Sequence, residues 1–515
     1  MGTPVAPPPP FTLAHHALHR PAHTALLEEG RSLDYRTFNS RVNRLAHGLL
    51  SLGLRRGDRA ALMLTNRAEF LEATFAGRKA GLPTVPIGWR LKPREVRHIL
   101  DDSDSRAVVF DASLAGTVRA AAEGLPGPEF RIAVGGSPGA VDYEELLSRS
   151  PDREPEHDPD LPTPGMFYTS GTTGAPKGAY RDARVRDTDQ MRLIIREFGF
   201  GPGDVHLVAG PLYHSAPYRF AVMHLLLGAT AVLRREFDPE EFLRAVQENR
   251  ATTAFVVPTM LARINDLPEP VKRNYDLSSM RSLVVAGAPC PFPVKERAIR
   301  LFGPVLCEFY GATETGINTL LKPEEQLRKP GSCGRVFPGN EVRILDEAGN
   351  PVPPGQPGLL YVKNSGLITR YHKRPEATEA NFRDGFFTVG DVARMDGEGF
   401  IYIVDRKIDM VISGGVNIYP AEIEALLRRH PAVADAAVIG VPDEEWGESL
   451  KAFVVRRAGA KLTAEEAIEF CKQNLASYKK PKSVEFVAEL PYGPSGKVLK
   501  RELRERYWGG RERRV

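Results

Sequence analysis

Between residues 11 and 150 the chain alternates two hydrophobic periods, and no other feature limits its fold so strongly. YRTFNSRVNRLAHGLLSLGL (35–54) repeats apolar residues at helical spacing, AALMLTN (60–66) is a short apolar run, and FLEATFAGRKAG (70–81) returns to helical spacing. A 3.6-residue period buries one stripe of a helix, whereas a short continuous run buries both faces of a strand. Their alternation predicts an α/β layered domain. Further strand-like runs follow at VHLVAG (205–210), TTAFVVP (252–258), SLVVAGA (282–288) and VLCEFYG (305–311). Each ends in Gly, Pro or small residues, so the loops at the strand ends are suited to hold a ligand.

The character changes near 395–410, where EGFIYIVDRKIDMVISGG (398–415) leads into a compact tail. There PAEIEALLRRH and TAEEAIEFCKQNL read as helices, and AAVIGVP, LKAFVVRR and SVEFVAELP as strands. Thr463 and Glu466 have capping-box spacing, and Cys471 falls on the apolar face of the helix they start. The expected organisation is a disordered N-terminus over 1–10, a large multi-subdomain α/β domain over 11–405 and a small α+β domain over 406–515. Basic and acidic residues nearly balance, 69 against 65, which argues against a nucleic-acid partner. Four cysteines (290, 307, 333 and 471) without metal or CxxC spacing suit a reducing, cytoplasmic setting. MGTPVAPPPPF lacks the layout of a signal peptide, and the apolar stretch 221–233 is too short to cross a bilayer, so no integral membrane segment is expected.

YTSGTTGAPKGA (168–179) sets three glycines and four Ser/Thr hydroxyls around one lysine. Glycines let backbone N–H groups approach a ligand closely, and successive N–H groups form an anion nest to which hydroxyls add donors. The guest this predicts is a phosphate chain. The Walker A pattern does not fit, because Gly178 follows Lys177 and the Gly171/Gly174 spacing is wrong. A glycine-rich surface loop without a ligand is the plain alternative, and the fixed order T-S-G-T-T-G-x-P-K-G argues against it.

That stretch resembles the signature of the adenylate-forming (AMP-binding) superfamily, which includes acyl-CoA synthetases, aryl-CoA ligases, luciferases and peptide-synthetase adenylation domains. Similar family elements occur in order: PLYHSAP (211–217), VVAGAPCP (284–291), EFYGATETG (308–316), GFFTVGD (385–391), VDRKIDMVISGGVNIYPAEIE (404–424) and PYGPSGKVLKREL (491–503). The resemblance implies ATP-dependent activation of a small-molecule carboxylic acid as an acyl-adenylate, with loss of pyrophosphate, followed by transfer to the thiol of coenzyme A. It places Thr169, Ser170, Gly171, Thr172, Thr173, Gly174 and Lys177 around the β- and γ-phosphates of ATP. Gly287, Ala288 and Pro289 lie along adenine and the acyl group, and Glu308, Phe309, Tyr310 and Gly311 line the nucleotide site, with Tyr310 against adenine. Thr313 falls near the α-phosphate and Glu314 on Mg²⁺, a hard cation for which one carboxylate plus phosphate oxygens suffices. Asp391 takes the ribose hydroxyls, Arg406 reaches ribose or phosphate, and His214 shapes the passage between acid and thiol. Lys497 is the implied catalytic lysine, and Gly414 and Gly415 line the pantetheine tunnel once a mobile small domain has rotated between the half-reactions.

Two positions depart from the pattern. Val389 stands where many relatives carry Thr or Ser, and Ile408 where they carry Lys or Asp at the hinge, so an altered domain equilibrium is expected. The acyl pocket is expected from 218–224, 256–260, the VVAGA run and 312–317, with Arg219 its one basic candidate. GWRLKPREV (88–96) resembles fatty-acyl-CoA ligases and tips the expected acid toward a fatty acid, with a benzoate- or cinnamate-type acid as the alternative. A stand-alone adenylating enzyme serving a carrier protein is a further reading, and a homodimer is left open.

Overall fold

The computed structural model describes residues 10–156, 165–169, 176–181, 188–413, 416–444, 446–475, 477–493 and 498–509. The chain divides into two compact units, Met1–Arg328 with Phe337–Asn340 and Lys363–Arg383, and Lys329–Val336 with Glu341–Val362 and Asp384–Val515.

The first unit contains two large sheets, besides two small ones at the ends of their strands. In one, strands Thr84–Pro86, Arg59–Met63, Ser105–Asp111, Phe130–Val134 and Val141–Asp142 lie side by side in that order, all parallel. The other orders Leu306–Glu308, Ser282–Val285, Thr253–Val256, Val205–Val208, Thr230–Leu233, Thr24–Glu28 and Arg31–Asp34. Only its last pair, a hairpin, is antiparallel. Parallel neighbours need crossovers, and the helical periods of the sequence supply them. The helices read at 35–54 and 70–81 form over Tyr35–Ser51, capped by the Asp34 carboxylate, and Ala68–Ala80. One core joins the sheets: Leu62 and Val109 of one and Ala231 and Leu233 of the other pack about Phe38, Phe70 and Tyr218.

Helix Ala68–Ala80 is buried nearly all round, carboxylates included. Glu69 pairs with Arg31 and Arg67, and Glu72 pairs with Arg41 and accepts a hydrogen bond from Tyr143. Buried charges persist only when paired, and these arginines come from a strand, a second helix and this helix's own N-cap.

In the second unit, Gly334–Val336, Phe400–Arg406 and Asp391–Met395 run antiparallel side by side. Its C-terminal part builds a sheet from Val411–Ser413, Val416–Ile418, Val433–Asp443, Gly447–Arg456 and Ser483–Phe486, with helices Pro420–Leu427, Ala464–Asn474 and Lys500–Trp508. Every element read from the tail sequence is present. Thr463 and Glu466 make the reciprocal capping bonds, and Cys471 lies in the core, its thiol pushed up to about 11 by burial. The architecture is the expected mixed α/β one, a large unit followed by a small α+β end.

Candidate active site

Parallel strands share a direction, so their C-terminal ends open on one edge. The loops after Val205–Val208, Thr253–Val256, Ser282–Val285 and Leu306–Glu308 therefore converge. A miniature hairpin follows the last of these strands, with Gly311 opposite Ile317 and Ala312 opposite Gly316. Its tightness explains the glycines of EFYGATETG. A Cβ on Gly311 would sit 2.1 Å from the Gly316 carbonyl oxygen, and Gly316 itself has φ +73°. Thr313, Glu314 and Thr315 are thereby carried at the hairpin tip.

A second hairpin meets this tip. Phe167–Thr169 pairs with Lys177–Tyr180, with Thr169 directly opposite Lys177, and Arg370–Tyr371 adds a third strand. The Thr169 hydroxyl donates to Glu314 Oε1 at 3.0 Å, and the Tyr371 hydroxyl donates to the same oxygen at 3.0 Å. Among the described residues nothing donates to Oε2. A buried carboxylate with one oxygen anchored and the other without a described donor fits a Mg²⁺ ligand, a hard cation completed by phosphate oxygens and water. Lys177 Nζ stands 5.4 Å from the centre of the Tyr371 ring, so the loop's one cation is held against the same cluster. Burial and the neighbouring carboxylate raise the Tyr371 phenol, which therefore stays a donor. The Arg181 guanidinium donates to the Thr313 carbonyl at 2.6 Å and to the Gly366 carbonyl at 2.7 Å, and the Ser215 and Thr313 hydroxyls share a bond of 2.9 Å. His98 meets the Pro176 carbonyl at 3.0 Å and Tyr168 donates to Asp102 at 2.8 Å, which fastens the hairpin stem to helix Pro93–Asp102.

The remaining loops complete this edge. His214 is the N-cap of helix Ser215–Leu227, with its ring 4.4 Å from that of Tyr213. Gly287 has φ +94° and, with Ala288 and Pro289, forms an accessible turn after its strand. Tyr310 is half-buried between Phe309, which is in the core, and the hairpin. Glu308 is different: its carboxylate is buried against the Lys295 ammonium and accepts the Cys290 backbone N–H.

In the second unit Asp391 and Arg406 lie opposite each other on paired strands, and Arg406 Nε approaches Asp391 Oδ1 to 3.3 Å. Ile408 lies in the turn after Arg406, where Asp409 and Met410 both donate to the Arg406 carbonyl. Ser170, Gly171, Thr172, Thr173, Gly174, Gly414, Gly415 and Lys497 lie outside the described residues.

Comparison with known proteins decides the family. The model for AMP-binding enzymes matches residues 13–372, and that for the AMP-binding enzyme C-terminal domain matches 422–497. The chain belongs to the AMP-binding enzyme family. Its relatives include CoA ligases and also a fatty acid–[acyl-carrier-protein] ligase of Streptomyces coeruleorubidus, 35% identical over 98% of this chain and 97% of its own length. A feruloyl-CoA synthase of Amycolatopsis sp. is 39% identical over 95% of this chain and 96% of its own length. The long-chain-fatty-acid–CoA ligase FadD13 of Mycobacterium tuberculosis is 34% identical over 92% and 93%. The crystal structure of ATP-bound MatB from Rhodopseudomonas palustris superposes with a TM-score of 0.85 at 29% identity, covering 94% of this chain and 96% of that one. No described helix of this AMP-binding enzyme is long and apolar enough to cross a membrane.

Three residues carry no motif signal in the sequence, Tyr371 and Arg181 of the cluster and Lys295 beside Glu308, while Ser215 sits inside PLYHSAP next to His214. Tyr371 reaches Glu314, 57 positions away, because its strand lies against the tip of the 311–317 hairpin, and Lys295 reaches Glu308 from helix Phe292–Phe302, 13 positions away. Arg181 had the one readable cue, a cation four positions beyond Lys177 on the same hairpin limb.

Proposed function

We propose that this AMP-binding enzyme joins an aromatic carboxylic acid of the cinnamate or benzoate type to coenzyme A. The acid oxygen attacks the α-phosphate of ATP and pyrophosphate leaves. The CoA thiol, giving up its proton, then displaces AMP from the acyl carbon. The 169–177 loop and Lys177 would hold the departing phosphates, Thr313 and Lys497 the α-phosphate, Tyr310 with 287–289 and 308–311 the adenosine, and Asp391 and Arg406 the ribose. Mg²⁺ on Glu314 would supply positive charge for the leaving pyrophosphate. A functional boundary near 405/406, with a C-terminal domain rotating about Ile408, fits a reaction that must withdraw Lys497 before a thiol enters.

The choice of acid rests on one observation. Phe220 of helix Ser215–Leu227, Phe255 and Phe309 form a buried ring cluster with centroids 5.5 to 6.3 Å apart, extended by Phe198 and Phe200. We read this wall of rings beside the converging loops as suited to an aryl group. GWRLKPREV had favoured a fatty acid. Its helix packs Val96, Ile99 and Leu100 on the other sheet and anchors the 167–180 hairpin, so it speaks to loop support and not to chain length.

Coenzyme A as acceptor is supported by the CoA ligases among the relatives, a feruloyl-CoA synthase and a long-chain-fatty-acid–CoA ligase among them. The test is a panel of ferulate, cinnamate, benzoate, decanoate and palmitate, assayed for pyrophosphate release and CoA thioester. Ferulate or cinnamate is expected to have the highest kcat/KM. A tenfold advantage for palmitate would overturn the acid class, and absence of pyrophosphate release with every acid would overturn the ligase reading.

A further inference from the structure

Asn66 follows strand Arg59–Met63, in the sheet that carries none of the motifs. It is 3% exposed, and its carboxamide is spent entirely on the other sheet. Nδ2 donates to the Gly210 carbonyl at 2.8 Å and to the Arg234 carbonyl at 3.1 Å, and Oδ1 accepts from the Leu212 backbone N–H at 2.8 Å. Two carbonyls on one side and an N–H on the other fix which end is nitrogen. The groups it reads lie 144 to 168 positions away, at the ends of strands Val205–Val208 and Thr230–Leu233.

The geometry points to Asn66 as a positioning residue for His214 in the acyl-transfer step. Gly210 and Leu212 open the turn whose fourth residue, counted from Pro211, is His214, and the His214 N–H closes that turn onto the Pro211 carbonyl at 3.1 Å. Gly210 is also pressed against Pro217, since a Cβ there would lie 2.9 Å from its ring. The turn is thus gripped from outside by one carboxamide and from inside by helix Ser215–Leu227. No shorter or purely accepting side chain reproduces this. Aspartate sets acceptors against two carbonyls, and serine falls short of at least one partner. A loop that relaxes by about 1 Å misplaces a reacting neighbour enough to cost about 100-fold. Among the described residues neither the 169–177 hairpin nor Glu314 bonds to Asn66, and the turn reaches that cluster through the Ser215–Thr313 bond of 2.9 Å, so ATP binding is expected to suffer less than acyl transfer. The inference rests on the reading of His214 as lining the path from acyl-adenylate to thiol.

Asn66→Ser and Asn66→Asp, two lesions of different severity, are compared with wild type and His214→Ala. Near-UV circular dichroism and an ATP-induced thermal shift first identify the variants that are folded and bind nucleotide. The reading is the ratio of ferulate-CoA formation to ferulate-dependent ATP–pyrophosphate exchange. In Asn66→Ser this ratio is expected to fall about 10- to 100-fold, with KM for ATP within about twofold of wild type. A merely structural lesion lowers both rates together and leaves the ratio unchanged, which overturns the proposal. An unchanged ratio in Asn66→Ser beside a reduced one in His214→Ala overturns the clamp alone. An unchanged ratio in His214→Ala overturns the clamp and the His214 reading together. Wild type that exchanges pyrophosphate with no acid overturns the ligase reading beneath both.

Discussion

Removing the ammonium of Lys295 should cost more stability than any other single change near the site. The pair is almost dry: the Lys295 side chain is 1% exposed and that of Glu308 7%. Lys295→Met conserves length and apolar bulk but leaves the carboxylate with only the Cys290 N–H for compensation. Breaking a buried pair at one end costs about 3–5 kcal/mol, whereas replacing both ends with apolar groups is often neutral. Lys295→Met/Glu308→Met is therefore expected to recover most of the loss, with a coupling of about 2 kcal/mol or more. Burial already holds the Glu308 carboxyl above its ordinary range, with Lys295 opposing. Without Lys295 it rises further, so the folded state prefers the protonated acid. The variant's deficit is then largest at neutral pH and shrinks as pH falls toward that raised value. Trp89 is the only tryptophan of the first unit, so urea unfolding in a Trp446→Phe/Trp508→Phe background reports on that unit. KM for ATP should rise as well, because Glu308 closes the strand that leads to Tyr310. A loss below about 1 kcal/mol, or a double variant no better than the single one, would refute the buried-pair account.

Gly311→Ala should abolish most adenylation, at least about 100-fold in pyrophosphate exchange, because the hairpin must open to admit a Cβ; Gly116→Ala, with nothing within 4 Å of its Cβ, should be neutral. Glu314→Gln should slow adenylation about 100-fold and move the Mg²⁺ titration midpoint upward, and an unchanged midpoint would remove Glu314 as the ligand. His206 and His224, stacked 4.1 Å apart and joined through Thr253, are both held below the ordinary histidine range by burial. Their contribution is present above about pH 6.5 and lost as pH falls below it, since only the unfolded chain takes up those protons. Melting temperature between pH 7 and 5 should fall less steeply in His206→Asn/His224→Asn than in wild type. Ile408→Lys should change the ratio of the two half-reaction rates in stopped-flow and exchange assays, and identical rates would show that the hinge position carries no control.

Period and punctuation made much of this molecule legible without coordinates. The helical stripes at 35–54 and 70–81 became helices, the four apolar runs ending in small residues became neighbouring parallel strands, and the tail folded element for element. Those properties are local, set by which face of a segment must leave water. The motifs around Lys177 and Glu314 stood out in the sequence as motifs, whereas the hairpin that EFYGATETG forms came only from the structure. What pairs across the chain was not readable. Thr169 and Tyr371 meet on Glu314, Lys295 meets Glu308, and Asn66 grips the turn before His214, although 57 to 146 positions separate Tyr371 and Thr169 from Glu314 and Asn66 from Leu212. A donor or a charge in a sequence names no partner. Strand order and register choose it, and burial then makes the choice binding, because a polar group removed from water without its partner costs more than the marginal stability of a domain tolerates.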